Sequence, residues 1–199
     1  MSAKVFDNIL LRGVRAGELP GRTKASREWY RQQAGKIKNG RVGEESLTKD
    51  KSRRAKSAGP GSMYFFGYDA KHKDKLPYYD RFPLIFPIGP APGGFLGINL
   101  HYLPPRLRAQ LMDALYSTVS NDKLDSSTKL RISYDILKGA SKFKLFKPTI
   151  KHYLSKQVRT DFVYVAPSEW DIALFLPVSQ FQKKGARTVW ADSRKIIAG

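Results

Sequence analysis

The sequence contains no cysteine, only three histidines, and only five glutamates, four of them before residue 46. Without cysteine there is no disulfide framework, no thiolate nucleophile and no cysteine-ligated zinc. His72, His101 and His152 are scattered, with neither HExxH nor paired-histidine spacing for a metal. A nuclease would need clustered carboxylates to hold Mg²⁺, and glutamate is too scarce to supply them. Asp69, Asp74 and Asp80 lie close in sequence, but they read as turn residues paired with neighbouring Lys and Arg. There is no Walker loop, no GxGxxG and no GxSxG elbow. No apolar run approaches the ~18 residues of a membrane span, and MSAKVFDNILLRGVRAG lacks a signal peptide's apolar stretch and cleavage site. The expectation is a soluble, non-exported, non-enzymatic protein with no cofactor, no metal and no membrane partner.

What the chain has in abundance is positive charge. Lys and Arg number 36 against 17 Asp and Glu, a net +19 over 199 residues. The excess is not confined to a tail: residues 1–62 carry 15 basic and 6 acidic side chains, and residues 63–199 carry 21 and 11. A basic body implies a polyanionic partner, and nucleic acid comes first because neutralised phosphates release counterions. A ribosome-like or solubility-driven basic surface, or an acidic protein partner, is the alternative.

Periodicity divides the chain into a basic N-terminal part, 1–62, and a single α+β domain, 63–199. Thr23–Lys38 reads as a helix capped by Ser26, with Trp29, Gln33 or Ala34, and Ile37 on one face. Its other face carries Arg27, Arg31, Lys36 and Lys38. Asn39–Ser62 has few large apolar residues and reads as a flexible linker, with the basic knot Lys51, Arg53, Arg54 and Lys56. Short aromatic strands are expected at Met63–Asp69, Phe82–Ile88 and Phe95–Leu103, joined by turns into an antiparallel meander. Pro83 and Pro87 place the second of these at an edge or break it with bulges. Pro105 opens a helix with Leu107, Leu111, Ala114 or Leu115, and Val119 on one stripe; a second helix is expected over Ser126–Ala140, and a third over Lys147–Arg159. Thr160–Ala166 reads as a fourth strand. Ser168 opens a capping box with Asp171, and the tail forms a short helix bearing Val189, Trp190, and Ile196 or Ile197. The class is α+β: a small antiparallel sheet, with an SH3-like barrel among the arrangements open to it, several C-terminal helices and a basic helical extension.

Basic and aromatic residues interleave along Ser141–Arg159. Lys142, Lys144 and Lys147 lead in; on the expected helix Lys151, Lys156 and Arg159 fall away from the Ile150/Leu154/Val158 stripe and are offered to phosphates. A solvated helix face is the alternative reading. Tyr64, Tyr68, Tyr78 and Tyr79 could stack unpaired bases, and the Tyr78-Tyr79-Asp80-Arg81 turn is the part of KLPYYDRFPLIFPI most open to a ligand or partner. Phe65, Phe82 and Phe86 read as core.

The block MYFFGYDAKHKDKLPYYDRFPLIFPIGPAPGGFLGINLHYLPPRLRAQLMDAL, with the later RTDFVYVAPSEWDIALFLP and VWADSRK, resembles the DNA end-protector (head-completion) family of T-even-like contractile-tailed phages over about residues 23–195. The resemblance implies a virion protein of the head or neck that binds the ends of packaged linear duplex DNA. It also implies portal or neck proteins as partners, entry into the host cytoplasm with the DNA, and shielding from the host RecBCD exonuclease. It carries no catalytic residues. A structural neck or baseplate protein that does not bind free DNA is the alternative function.

Overall fold

Thr23, rather than Ser26, begins the long N-terminal helix: its hydroxyl oxygen accepts the Ser26 N–H at 3.0 Å. Ser26 is buried instead, and its own hydroxyl donates to the Leu19 carbonyl. The structure is a computed structural model and describes residues 5–20, 23–119, 134–139, 142 and 144–199. Helix α1 spans Val5–Arg15, α2 Lys24–Gly35, α3 Glu44–Thr48 and α4 Pro105–Val119, with a helical segment α5 over 134–139, α6 at Trp170–Phe175 and α7 at Ala186–Ala198. Of the helix expected over Ser126–Ala140, residues 126–133 and 140 lie outside the described residues, as do Ser141, Phe143 and the side chains of Ala114 and Val119.

Eight strands follow: β1 Arg54–Ala55, β2 Met63–Phe65, β3 Tyr79–Asp80, β4 Leu84–Ala91, β5 Gly94–Asn99, β6 Ile150–Leu154, β7 Phe162–Val165 and β8 Phe181–Gln182. Six form an antiparallel sheet in the order β1-β7-β2-β4-β5-β6, and β3 pairs with β8 apart from it. The sheet curls strongly without closing into a barrel. Phe95 on β5 and Phe162 on β7 bring their rings to 5.9 Å, although β2 and β4 lie between their strands.

Period-two alternation sorts the strand side chains. Met63, Phe65, Leu84, Phe86 and Val163 face the helices in the main core; Tyr64, Phe66, Ile85, Tyr153 and Phe162 form an aromatic cluster on the other face. Phe65 stacks on Phe82 at 5.2 Å, and each such buried ring contributes about 1.5–3 kcal/mol. Phe6 and Ile9 of α1, Tyr30 and Ala34 of α2, and Leu47 of α3 belong to the same main core as Trp170 and Ile172 of α6.

Several expectations change. The segment read as linker carries α3, a 3-10 turn at Lys51–Arg53 and β1, and buries Val42 and Leu47. Ion pairs tie α2 and this segment to α6 and to the 3-10 turn at Pro167–Glu169 before it. Arg31 donates to Asp171 at 2.6 Å and to Asp113 at 2.7 Å; Arg53 grips Glu169 with two bonds of 2.5 and 2.7 Å. The proline-bearing strand β4 is internal, not an edge, and it bulges between Pro87 and Gly89. Three-residue β2 has ended by Pro87, so the missing N–H costs no bond there. The helix expected over Lys147–Arg159 is strand β6, flanked by 3-10 turns at Lys144–Thr149 and Ser155–Gln157. Ser168 is not a cap: the Glu169 carboxylate accepts the Ala166 N–H, while Asp171 turns to Arg31. In α7, Val189 is buried as expected, and of the two isoleucines Ile197 is half-buried while Ile196 is exposed.

Edge strand β6 hangs on one close approach. Gly94 pairs with Leu154 so tightly that a Cβ there would lie 1.8 Å from the Tyr153 carbonyl oxygen, a backbone atom that cannot rotate away. Gly94→Ala should therefore loosen β6 and lower stability by roughly 1–3 kcal/mol, read from urea denaturation of variant and parent.

Candidate nucleic-acid interface

Asp80 is the pivot of the site. Short strand β3 places its carboxylate in the interior, where Oδ1 accepts the N–H groups of Phe82 and Gln180, both at 3.1 Å. Oδ2 accepts Asn99 Nδ2 at 3.2 Å and His101 Nδ1 at 2.7 Å, in the tautomer that carries its proton on Nδ1. Burial alone would push this carboxyl up; attraction to His101 and the bonds from His101, Asn99 and Gln180 outweigh it and hold the group below its usual value. His101 is thus a structural partner. Its carbonyl accepts from Trp190 Nε1 and from buried Arg108, whose guanidinium also meets the Leu103 and Leu174 carbonyls. Burial lowers Arg108 to about 10.

Outside this pivot lies a cleft of about 570 Å³ between the 70–79 loop and β6. Tyr68, Tyr78, Tyr102 and Tyr153 are among its walls, and Lys71, His72, Lys151 and His152 supply its polar groups. Lys183 holds the outer wall in place by donating to the Asp74 and Leu76 carbonyls at 3.0 and 2.8 Å. It is the one non-glycine residue with positive φ (69°) among those described. Lys184 lies over Tyr78 at 5.1 Å. A second depression of about 440 Å³ shares Tyr68 and Tyr79 with the first and carries Lys73, Arg81 and Arg159.

Lys151 is the unusual member. Its ammonium sits 3.9 Å from the centre of the Tyr102 ring, and among the described residues no carboxylate pairs with it. Burial pulls it down to about 8.

The residues expected to meet phosphate do not form one surface. Arg31, Arg53 and Arg27 turn inward: the first two make the pairs described above, and Arg27 binds Asp113 at 3.2 Å while lying over Tyr116. Exposed positions are Lys36, Lys38, Lys51, Arg54, Lys56, Lys142, Lys144, Lys147, Lys156 and Arg159. Arg54 donates to the Thr48 carbonyl, Lys56 pairs with Asp161 and Arg159 with Asp69. Lys51, Arg54 and Lys56 lie by β1, at one edge of the sheet, whereas Lys151 belongs to the other edge. Curling narrows that gap, since Lys56 shares a depression with Ser155 and Val158 just past β6.

Of the turn offered to a ligand, Tyr78 and Tyr79 line the cleft and Arg81 lines the depression beside it. Tyr64 instead packs edge-on to Phe162, within the aromatic cluster. Sequence reasoning missed Tyr102, Tyr153, Lys71 and His72 as cleft residues, and missed Asp80 as their organiser. Among the described residues no group of three or more His, Asp or Glu could hold a metal ion, and no helix is long and apolar enough to cross a membrane.

Residues 22–196 match the sequence model of the family described as phage T4 terminal DNA protecting protein. The chain belongs to that family. No curated protein and no solved structure matches at comparable stringency. The family match takes in every element from α2 to α7, and with them the whole cleft.

Asp80 and Lys151 make stability depend on pH in opposite senses. Asp80's depressed carboxyl stabilises the fold above the ordinary carboxylate value of 3.8, and that share disappears as pH falls through the lower folded value. Asp80→Asn should cost about 1–3 kcal/mol at pH 7 by replacing an ionised acceptor of four hydrogen bonds with a neutral amide, and the gap to the parent should narrow below about pH 4 in chemical denaturation. Lys151 has the opposite sign. The unfolded chain keeps this proton to 10.5 and the folded chain only to about 8, so burial costs stability at neutral pH and the cost fades between those values. Lys151→Met should raise stability by about 1–3 kcal/mol at pH 7, with little gain left near pH 10.

Proposed function

We propose that this protein binds the ends of linear double-stranded DNA and shields them from exonucleases. The observation that carries the reading is the match to a terminal DNA protecting family across residues 22–196. Physical support comes from the net charge of +19 and from the many exposed lysines and arginines left after the internal ion pairs are formed. Lys36, Lys38, Lys51 and Arg54 on the N-terminal side, and Lys142, Lys144, Lys147, Lys156 and Arg159 on the other, are the residues proposed to neutralise phosphates. Among the described residues no helix presents a set of base-reading side chains for a major groove, so binding is set by charge and by the geometry of an end.

The finer reading is a virion protein of the head or neck that completes the filled head and enters the host cytoplasm with the DNA. There it would protect the DNA from a RecBCD-type exonuclease. Such a role needs contacts with portal or neck proteins. Leu11 and Val14 on α1, with Leu19 just beyond it, are 51, 57 and 48% exposed, a surface with the character of a protein contact. The same surface favours a second reading, a neck or baseplate assembly protein without affinity for free DNA.

Pre-incubation with the purified protein should protect linear duplex, but not nicked circular duplex, from a processive exonuclease. Affinity should fall by about 10³-fold between 50 and 200 mM salt if six phosphates are contacted. Degradation at the unprotected rate, together with a flat salt response in a gel shift, would leave the assembly role standing alone.

A further inference from the structure

Lys151 poses a problem that the fold does not solve. A desolvated ammonium is normally paired with a carboxylate, whereas half-buried Lys151 carries its ammonium against a tyrosine ring. Here the Tyr102 face, 3.9 Å away, is the nearest compensation, and among the described residues no anion answers the charge. Among the described residues the one carboxylate lining the cleft, that of Asp80, already accepts four hydrogen bonds and is turned to the interior. Lys71 and His72 stand exposed at the same cleft. The pocket is therefore cationic, lined with tyrosine rings, and at about 570 Å³ in the range that encloses a whole organic ligand rather than a bare ion. Aromatic faces beside a desolvated cation suit a ligand with a flat ring and an attached anion.

We propose that the cleft between the 70–79 loop and β6 receives one terminal nucleotide of a DNA strand, its base against the tyrosine rings and its phosphate on Lys151. The proposal rests on the end-binding reading above and deepens it by supplying the discrimination that phosphate contacts alone lack. A base inside a duplex enters a pocket only by being unpaired and unstacked, which costs a few kcal/mol; a terminal base is held by one neighbour and frays readily. Stacking is indifferent to base identity, so such a pocket selects ends without selecting sequence. The rigid outer wall fits this use, because Lys183 and Lys184 hold the loop and the Tyr78 ring in position before any ligand arrives.

The test uses the full chain with two kinds of DNA. Competition binding compares a linear duplex with a covalently closed circle of the same sequence, for the parent and for Tyr78→Ala and Lys151→Met. The parent should prefer the linear form, and each variant should lose about tenfold of that preference, the size expected when one base–aromatic stack or one phosphate contact is removed. Lys151→Met is expected to be the more stable protein, so its loss cannot be ascribed to unfolding. In parallel, 2-aminopurine is placed at the 5′ terminus in one duplex and at the 3′ terminus in another. Quenching of either probe by the parent, reduced in Tyr78→Ala, supports the pocket and tells which strand end enters it. A parent that prefers ends while both variants keep the full preference, or that quenches neither probe, overturns the pocket and leaves the end-binding reading intact. A parent with no preference for linear DNA overturns both.

Discussion

The buried carboxylate of Asp80 takes two backbone N–H groups on one oxygen and the side chains of Asn99 and His101 on the other. These four donors come from the approach to β4, the approach to β8, the end of β5 and the turn after it. Strands β3 and β8 are two residues each and would not hold together alone. Fixed through Asp80, they set Tyr78 and Tyr79 opposite β6, and through the His101 turn the same carboxylate sets the position of Tyr102. Asn99 extends the network to the Tyr153 hydroxyl at 3.0 Å, on the far wall of the cleft. A site made of loop and edge residues thus inherits its rigidity from one polar group inside the fold.

Much of the fold was legible because its elements carry a single clear period. The aromatic strands at Met63, Leu84 and Gly94, the helix after Pro105, and Phe162–Val165 are all present, and Phe65, Phe82 and Phe86 are core. The misreading of Lys147–Arg159 has a simple cause. Ile150, Leu154 and Val158 are spaced by four, which satisfies a helical stripe and also a two-residue alternation. Pro148 and the β-branched and aromatic residues that follow it favoured the strand, and the exposed ladder of β5 decided the matter. The cleft was only half visible: Tyr68, Tyr78 and Tyr79 were singled out for stacking and Lys151 for phosphate, with nothing to join the two. Their meeting with Tyr102 and His72 depends on β6 pairing beside β5, and no local pattern encodes that pairing. The N-terminal part was misjudged for a related reason. Few large apolar residues between 39 and 62 read as a linker, yet Leu47 and Arg53 suffice to dock it.

Positive charge is divided between two uses. Arg27, Arg31 and Arg53 are planar, bidentate donors, and they serve the interior, where each finds a carboxylate. The exposed remainder is mostly lysine, the more hydrated cation, suited to contacts that form and exchange at a surface. Composition reports the sum of these two populations and cannot separate them. Lys151 belongs to neither: it is held in a partly dry place with no carboxylate beside it among the described residues, at a cost to stability that an apolar side chain would avoid.

The partners of the buried arginines also bear on how the chain reaches this fold. Arg31 and Asp171 are 140 residues apart, Arg53 and Glu169 are 116 apart, and β1 has no strand to join until β7 exists. At a synthesis rate of about 5–20 residues per second, the first arginines wait on the order of ten seconds for their carboxylates. The β2-β4-β5 meander can pair early, but these N-terminal contacts close only once the C-terminal third is present. Until then a ribosome-bound segment with nine positive charges in excess faces the surrounding nucleic acid with its structural arginines unengaged.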